Sequence, residues 1–299
     1  MLPEADELAE VLLDLGVPHE DIDELVRMSR RVRDDPELRR FLEHSVAELV
    51  AGMGKISDRD DLPELDWPTG ALQRFFMVYV FVAALPHTRA HHQERGIPAD
   101  VSRRTLADLG RNIAVHRRRH GRGGVQAPWW LTHHFRGELY QLGRLQFERS
   151  RVGRPTAHVL TAAGLDVEPG DPCLNVHIPD FLGPLSPAAC DRSLALAREF
   201  FALHYPEERY QAVVCHSWLL DPQLKQYLPA HTNIVRFQER FRVIREDSEP
   251  SDTEPVQYVF GDPELPVPDL PRRTTVERAV GDHLRAGGHW YIGHGWFPL

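Results

Sequence analysis

Apolar residues recur through the first part of the chain at helical spacing. Leu8, Val11, Leu12 and Leu15 make one stripe, stopped by Gly16, and Ile22, Leu25 and Val26 begin another after Asp21. Leu38, Phe41, Leu42, Leu49 and Val50 make a third after Asp35-Pro36. Gly70 to Leu85 is apolar on nearly every face, which predicts a buried helix at the centre of a helical domain, with Pro86 at its end. Leu106, Leu109, Ile113 and Val115 predict one more helix, and Lys55 to Thr69, rich in Asp and Pro, reads as a loop.

Beyond His120-Gly121-Arg122-Gly123-Gly124 the period changes, which places a domain boundary there or just after and predicts domains 1–125 and 126–299. Leu139, Leu145 and Phe147 alternate with polar residues through an expected strand, and Ala157 to Thr161 reads as a shorter one. Pro172 to Leu220 is the organising unit: an apolar run, a turn, an amphipathic run from Ala188 to Tyr205, and a second apolar run. That is the pattern of strand, crossover helix and parallel strand. Ser186 is placed as N-cap and Pro187 as N1. The turn Leu182 to Ser186 therefore leads to a helix N-terminus, whose free N–H groups and dipole favour phosphate. Further on, a helix is expected from Asp221-Pro222 towards Leu228, and paired strands at Phe237 to Arg245 and Val256 to Phe260. A helix over Thr275 to Arg285 and a last strand at His289 to Phe297 complete the chain. The whole reads as a helical domain followed by an α/β (α+β) layer of about seven strands with flanking helices.

The chain has 299 residues, enough for two modest domains, and no basic-apolar leader opens it. The longest strongly apolar run, Phe75 to Leu85, is too short to span a bilayer. Three cysteines, Cys173, Cys190 and Cys215, without CxxC spacing, argue against thiolate metal or redox chemistry and suit a reducing cytoplasm. The formal net charge of −9 conceals an arginine-rich band from Arg103 to Arg154. Solvated helix faces or a phosphate surface account for the band. The acidic total and the lack of an aromatic-basic recognition motif argue against nucleic acid.

Arg118-Arg119-His120-Gly121-Arg122-Gly123 fits the R-x-x-G-x-G pattern that grips a coenzyme A pyrophosphate, but it follows a helix where that motif should follow a strand. A basic linker is the better reading. His87 with His91, and His116 with His120, could each share a helix face, yet neither has an intervening Glu or a third ligand, so no metal site is expected. His177 and His216 each lie in one strand of the central unit. Alternation puts Cys215 and His216 on opposite faces, a poor geometry for a nucleophile and its base.

Leu142-Gly-Arg-Leu-Gln-Phe-Glu148, Leu174-Asn-Val-His-Ile-Pro179, Cys215-His-Ser-Trp-Leu-Leu220 and Asn233-Ile-Val-Arg-Phe237 resemble a family of bacterial acyltransferase-domain proteins. Arg95-Gly-Ile-Pro98, Thr105-Leu-Ala-Asp108 and Trp130-Leu131 agree more loosely. In that family a helical N-acyltransferase N-terminal domain precedes a GNAT-like domain. The resemblance implies a mixed, mostly antiparallel sheet that splays between two strands to admit an acyl-CoA. It puts the thioester against Leu174 to Ile178, including Val176 and Ile178, and the pyrophosphate on Leu182, Gly183, Leu185, Ser186 and Ala188. It makes His177 the first candidate base and His216 the second, with Tyr227 and then Ser217 as candidate acids. The usual arginine and glycine motif is missing from the phosphate loop. The expected activity is transfer of an acyl group from acyl-CoA, or from an acyl carrier protein, to an unidentified amine. The alternative is a non-catalytic module that binds acyl-CoA or a protein partner.

Overall fold

The computed structural model describes residues 2–56, 71–125, 127–180, 182–246 and 249–299. By its own contacts the chain divides into Met1–Gln141 and Leu142–Leu299. The first unit holds α1 (Ala5–Asp14), α2 (His19–Asp34), α3 (Pro36–Ala51), α4 (Ala71–Glu94), α5 (Ala99–Leu106), α6 (Asp108–His120) and α7 (Pro128–Phe135). The expected stripes become buried faces: Leu8, Leu12, Leu25, Leu42 and Leu49 share one core with Phe75 to Leu85 of α4. A helix apolar all round needs cover on all sides. α2, α3 and α7 supply it, with Tyr79 donating to the Leu25 carbonyl at 2.7 Å and Phe81 stacked on Phe135 at 4.5 Å.

Pro86 lies inside α4 and does not close it. Proline removes one backbone bond, while burial of Leu85 and His92 on either side and the Thr88 hydroxyl on the Phe135 carbonyl, 2.7 Å, hold the helix together. α7, beyond the expected boundary at 125, packs on α4. The expected loop Lys55 to Thr69 lies, from residue 57 on, outside the described residues. Part of the arginine band is paired: Arg104 on Asp100 and Arg111 on Asp108 within their own helices, and Arg117 on the fully buried Asp21, 96 residues away. Among the described residues no helix is long and apolar enough to cross a membrane.

In the second part come β1 (Leu139–Leu142), which straddles the division, β2 (Leu145–Arg151), α8 (Arg154–Ala162), β3 (Pro172–His177), α9 (Pro187–His204) and β4 (Ala212–Ser217). After them follow α10 (Asn233–Gln238), β5 (Arg242–Glu246), α11 (Thr253–Phe260), α12 (Thr275–Arg285) and β6 (Gly293–Pro298). The sheet order is β1-β2-β3-β4-β6-β5. β2/β3, β4/β6 and β5/β6 are antiparallel and β3/β4 is parallel, so the sheet is mixed and mostly antiparallel as expected.

Among the described residues the sheet has six strands rather than about seven, because two short runs that read as strands are helices. Ala157 to Thr161 lies in α8, entered through Pro155 in the first turn, with Ala157 and Leu160 buried at helical spacing. Val256 to Phe260 lies in α11, and Phe237 lies in α10, so the strand expected from Phe237 begins at Arg242. The helix expected after Asp221 is a short 3-10 turn, Pro222–Gln226. The strand expected through Leu139 to Phe147 is two, turned at Gly143, whose φ is +71°. Five-residue runs that are mainly apolar fit either period, and the residues that start a helix decide between them.

Candidate active site

The central unit forms as the pattern predicts, strand, helix and parallel strand, but its two strands share only a short ladder. Among the described residues β3 and β4 share two rungs, Leu174 with Val213 and Asn175 with Val214. The strands themselves continue to His177 and Ser217. Their outer neighbours stay fully laddered, with six pairs between β2 and β3 and six between β4 and β6. Among the described residues no rung joins β3 and β4 beyond Asn175 and Val214. Directly opposed residues share a face, so Asn175, His177, Val214 and His216 face one way. Glu148 of β2 opposes Asn175 and His294 of β6 opposes His216, which adds both to the same face.

On the β3 lip, the Glu148 Oε2 accepts from Asn175 Nδ2 at 3.1 Å and from His177 Nε2 at 2.7 Å. A carboxylate only accepts, so His177 carries its proton on Nε2 and presents a lone pair at Nδ1. The side chains of His177 and Glu148 are 23% and 16% exposed, which leaves the ring reachable and the carboxylate largely shielded. The buried Oδ1 of Asn175 has no hydrogen-bond partner among the described residues. On the β4 lip, exposed His216 meets His294 through their Nδ1 atoms.

The other expected site residues lie differently. Ser217 Oγ accepts from Leu219 N at 3.1 Å and so caps the 3-10 turn Trp218–Leu220. Tyr227 packs with His283 and Trp290. His283 Nε2 must donate to the His289 carbonyl at 3.1 Å, so its Nδ1 accepts from the Tyr227 hydroxyl at 2.9 Å. The three cysteines are buried and free. Burial pushes the thiols of Cys173 and Cys215 up to about 12 and that of Cys190 upward, which makes all three poor nucleophiles. Among the described residues no group of three or more His, Cys, Asp or Glu is placed to hold a metal.

At the start of α9 the Ser186 side chain caps Ala189 N at 3.3 Å and Pro187 occupies the first turn. Leu185 is buried, Leu182 and Ser186 are half-buried, and Gly183 and Ala188 are exposed. Arg144, 39 residues before Gly183, donates from Nε to the Gly183 carbonyl at 2.8 Å and from a terminal nitrogen to that of Pro179 at 3.0 Å. Arg240 pairs with Asp191 at 2.7 Å and reaches the Pro187 carbonyl, 53 residues away in sequence, at 3.1 Å. Burial holds the Arg144 guanidinium below its usual range. Both arginines draw on Cys190, opposing the upward push of burial on its thiol. The cations absent from the loop's own sequence thus come from the β1–β2 turn and from just after α10. The R-x-x-G-x-G run, in contrast, forms the C-terminal end of α6, where Gly121 adopts φ 68° as the cap. The dipole there disfavours an anion.

The two-rung junction of two parallel strands thus leads into a helix N-terminus flanked by two arginines. The sequence profile of the GNAT-like C-terminal domain matches residues 139–297, and that of the N-acyltransferase N-terminal domain matches residues 6–137. The chain belongs to this family of two-part acyltransferases. A solved acyltransferase in complex with decanoyl-CoA and teicoplanin is 38% identical over 100% of this chain and 90% of that one, with a TM-score of 0.89. An acyltransferase in complex with decanoyl-CoA is 39% identical over 100% and 89%, with a TM-score of 0.88. Another, in complex with CoA and 10C-teicoplanin, is 37% identical over 100% and 90%, with a TM-score of 0.89. No curated protein matches the chain.

Proposed function

We propose that the chain is an N-acyltransferase that moves a medium-length acyl group from CoA to an amine. The observation that carries this reading is the two-rung junction of β3 and β4 with His177 held by Glu148 on its lip. The thioester lies along Val176 and Ile178, where no rung joins the strands among the described residues. The pyrophosphate rests on Leu182, Gly183, Leu185, Ser186 and Ala188, beside Arg144 and Arg240. His177 Nδ1 takes a proton from the amine as the C–N bond forms and the C–S bond breaks, and Glu148 stabilises the imidazolium. A thiolate is a good leaving group, so the step does not require protonation by Tyr227 or, after it, Ser217, whose hydroxyls contact His283 and Leu219 N. Likeness to acyltransferase structures in complex with decanoyl-CoA and teicoplanin and, for a mutant acyltransferase, with octanoyl-CoA favours an eight- to ten-carbon donor and a teicoplanin-type amine acceptor.

The test pairs binding with turnover. CoA, acetyl-CoA, octanoyl-CoA and decanoyl-CoA are each added to the protein, and the thermal midpoint is followed. A ligand at about 100 times its Kd adds about 2.7 kcal/mol. CoA release and product mass are then measured with a teicoplanin-type amine. The expected result is a shift that grows with chain length and an acylated product, with turnover lost in His177→Ala while the shift persists. A shift without turnover in the wild type leaves a non-catalytic acyl-CoA module. No shift with any CoA ester overturns free CoA as donor and points to a carrier protein.

A further inference from the structure

The β4 lip carries a pair of imidazoles that the reaction above does not use. β4 and β6 run antiparallel with His216 directly opposite His294. Their Nδ1 atoms are in hydrogen-bond contact, with ring centroids 4.5 Å apart and planes at 76°. Two imidazole nitrogens attract only when one bears a proton and the other a lone pair. The neutral pair therefore holds one proton between the rings, and the tautomers are complementary. The ring that donates from Nδ1 keeps its lone pair at Nε2, and the ring that accepts keeps its proton at Nε2. His216 is exposed and His294 half-buried, on the same sheet face as His177 and Glu148.

We propose that His216 and His294 form a two-imidazole proton relay that readies the acceptor amine for attack, a role that rests on the N-acyltransferase reading. An aliphatic amine arrives as ammonium and has two protons to lose, one before attack and one during it. The first binds His216 Nε2, the proton between the rings crosses from His216 Nδ1 to His294 Nδ1, and the Nε2 proton of His294 leaves to water. One proton enters, one leaves, and only N–H bonds change. Between turnovers both Nε2 positions exchange with water and the starting tautomers return. The second proton goes to His177 as the thioester opens. His177, more shielded and fixed by Glu148, suits the chemical step, while exposed His216 suits exchange with solvent.

His294→Phe keeps a ring and removes the second station. His294→Asn keeps a donor near the position of Nδ1 but cannot pass a proton on. For both, kcat is expected to fall about tenfold to a hundredfold, with the KM for acyl-CoA and the melting midpoint near those of the wild type. Added imidazole should restore much of the lost rate, which it would not do for a misfolded enzyme. In the resting wild-type protein, nitrogen-15 spectra of the histidines should show scalar coupling across the Nδ1 atoms of His216 and His294. A kcat within twofold of wild type in both variants, or a loss that imidazole leaves unmended, overturns the relay. Absence of the coupling overturns the pair itself. A wild-type protein that binds acyl-CoA but acylates no amine removes the N-acyltransferase reading, and the relay with it, while the coupling would still be seen.

Discussion

At Glu148 one carboxylate oxygen takes two hydrogen bonds, from Asn175 and from His177, and so fixes which nitrogen of His177 carries the proton. Glu148→Gln would keep most of the volume and remove the charge that steadies the imidazolium. We expect kcat to fall about tenfold to a hundredfold with the acyl-CoA midpoint shift unchanged. Steady-state kinetics beside thermal melts read both, and an unchanged kcat would reduce Glu148 to a structural role. His177 and His216 were legible from their strands alone. The orienting residues were not, because each depends on which strand lies beside which. Glu148 faces His177 through the β2–β3 ladder, 29 residues apart, and His294 faces His216 across 78 residues. Arg144 and Arg240 reach the start of α9 from opposite directions along the chain, so no local motif could mark them.

At the scale of elements, the β1–β2 turn is fastened to α9 through one hydroxyl. Ser193 Oγ, fully buried, accepts from Arg144 N at 2.8 Å and from Leu145 N at 3.3 Å, and donates to the Ala189 carbonyl at 3.0 Å. Gly143 needs its positive φ, and a Cβ there would lie 2.7 Å from that same oxygen. Gly143→Ala should cost about 1–3 kcal/mol, and Ser193→Ala a similar amount by leaving buried N–H groups without an acceptor. The double variant should cost less than the sum, since removing the hydroxyl also removes the clash. Urea unfolding of the four proteins checks this, and strict additivity would refute the shared contact. The central strand-helix-strand unit was readable because caps and period agree there: Ser186 and Pro187 stand where α9 begins. α8 and α11 were misread because their apolar runs span little more than a helical turn, too few residues to separate the two periods.

Across the whole molecule, buried histidines lie in both units, and the two that burial drives furthest down, His92 and His134, lie in the first. Burial drives His134 down to about 4, outweighing the opposing pull of Asp108, and drives His92 to about 3. Both are neutral when folded and titrate near 6.5 when unfolded. From pH 6.5 downward the unfolded chain binds protons that the folded one refuses. Stability must therefore fall with pH, by about 1.4 kcal/mol per unit for each histidine. The loss levels off below about pH 4 for His134 and about pH 3 for His92. Hydrogen exchange at pH 7 and pH 4.5, corrected for intrinsic rates, should show α4 and α7 losing protection before β2 and β4. A profile as flat in α4 as in the sheet would refute it. The division into a helical part and a sheet part was visible in the change of period, whereas a short β3–β4 ladder, here of two rungs, was implied only by the family resemblance, since the period makes β3 and β4 each an ordinary strand. Those two rungs leave the sheet with a border in its interior. Proteins usually guard such borders, because unpaired strand groups recruit strands from other molecules. The proposed donor, while seated in the junction, would also be its cover, and self-association of the protein would be set by how long the seat stands vacant.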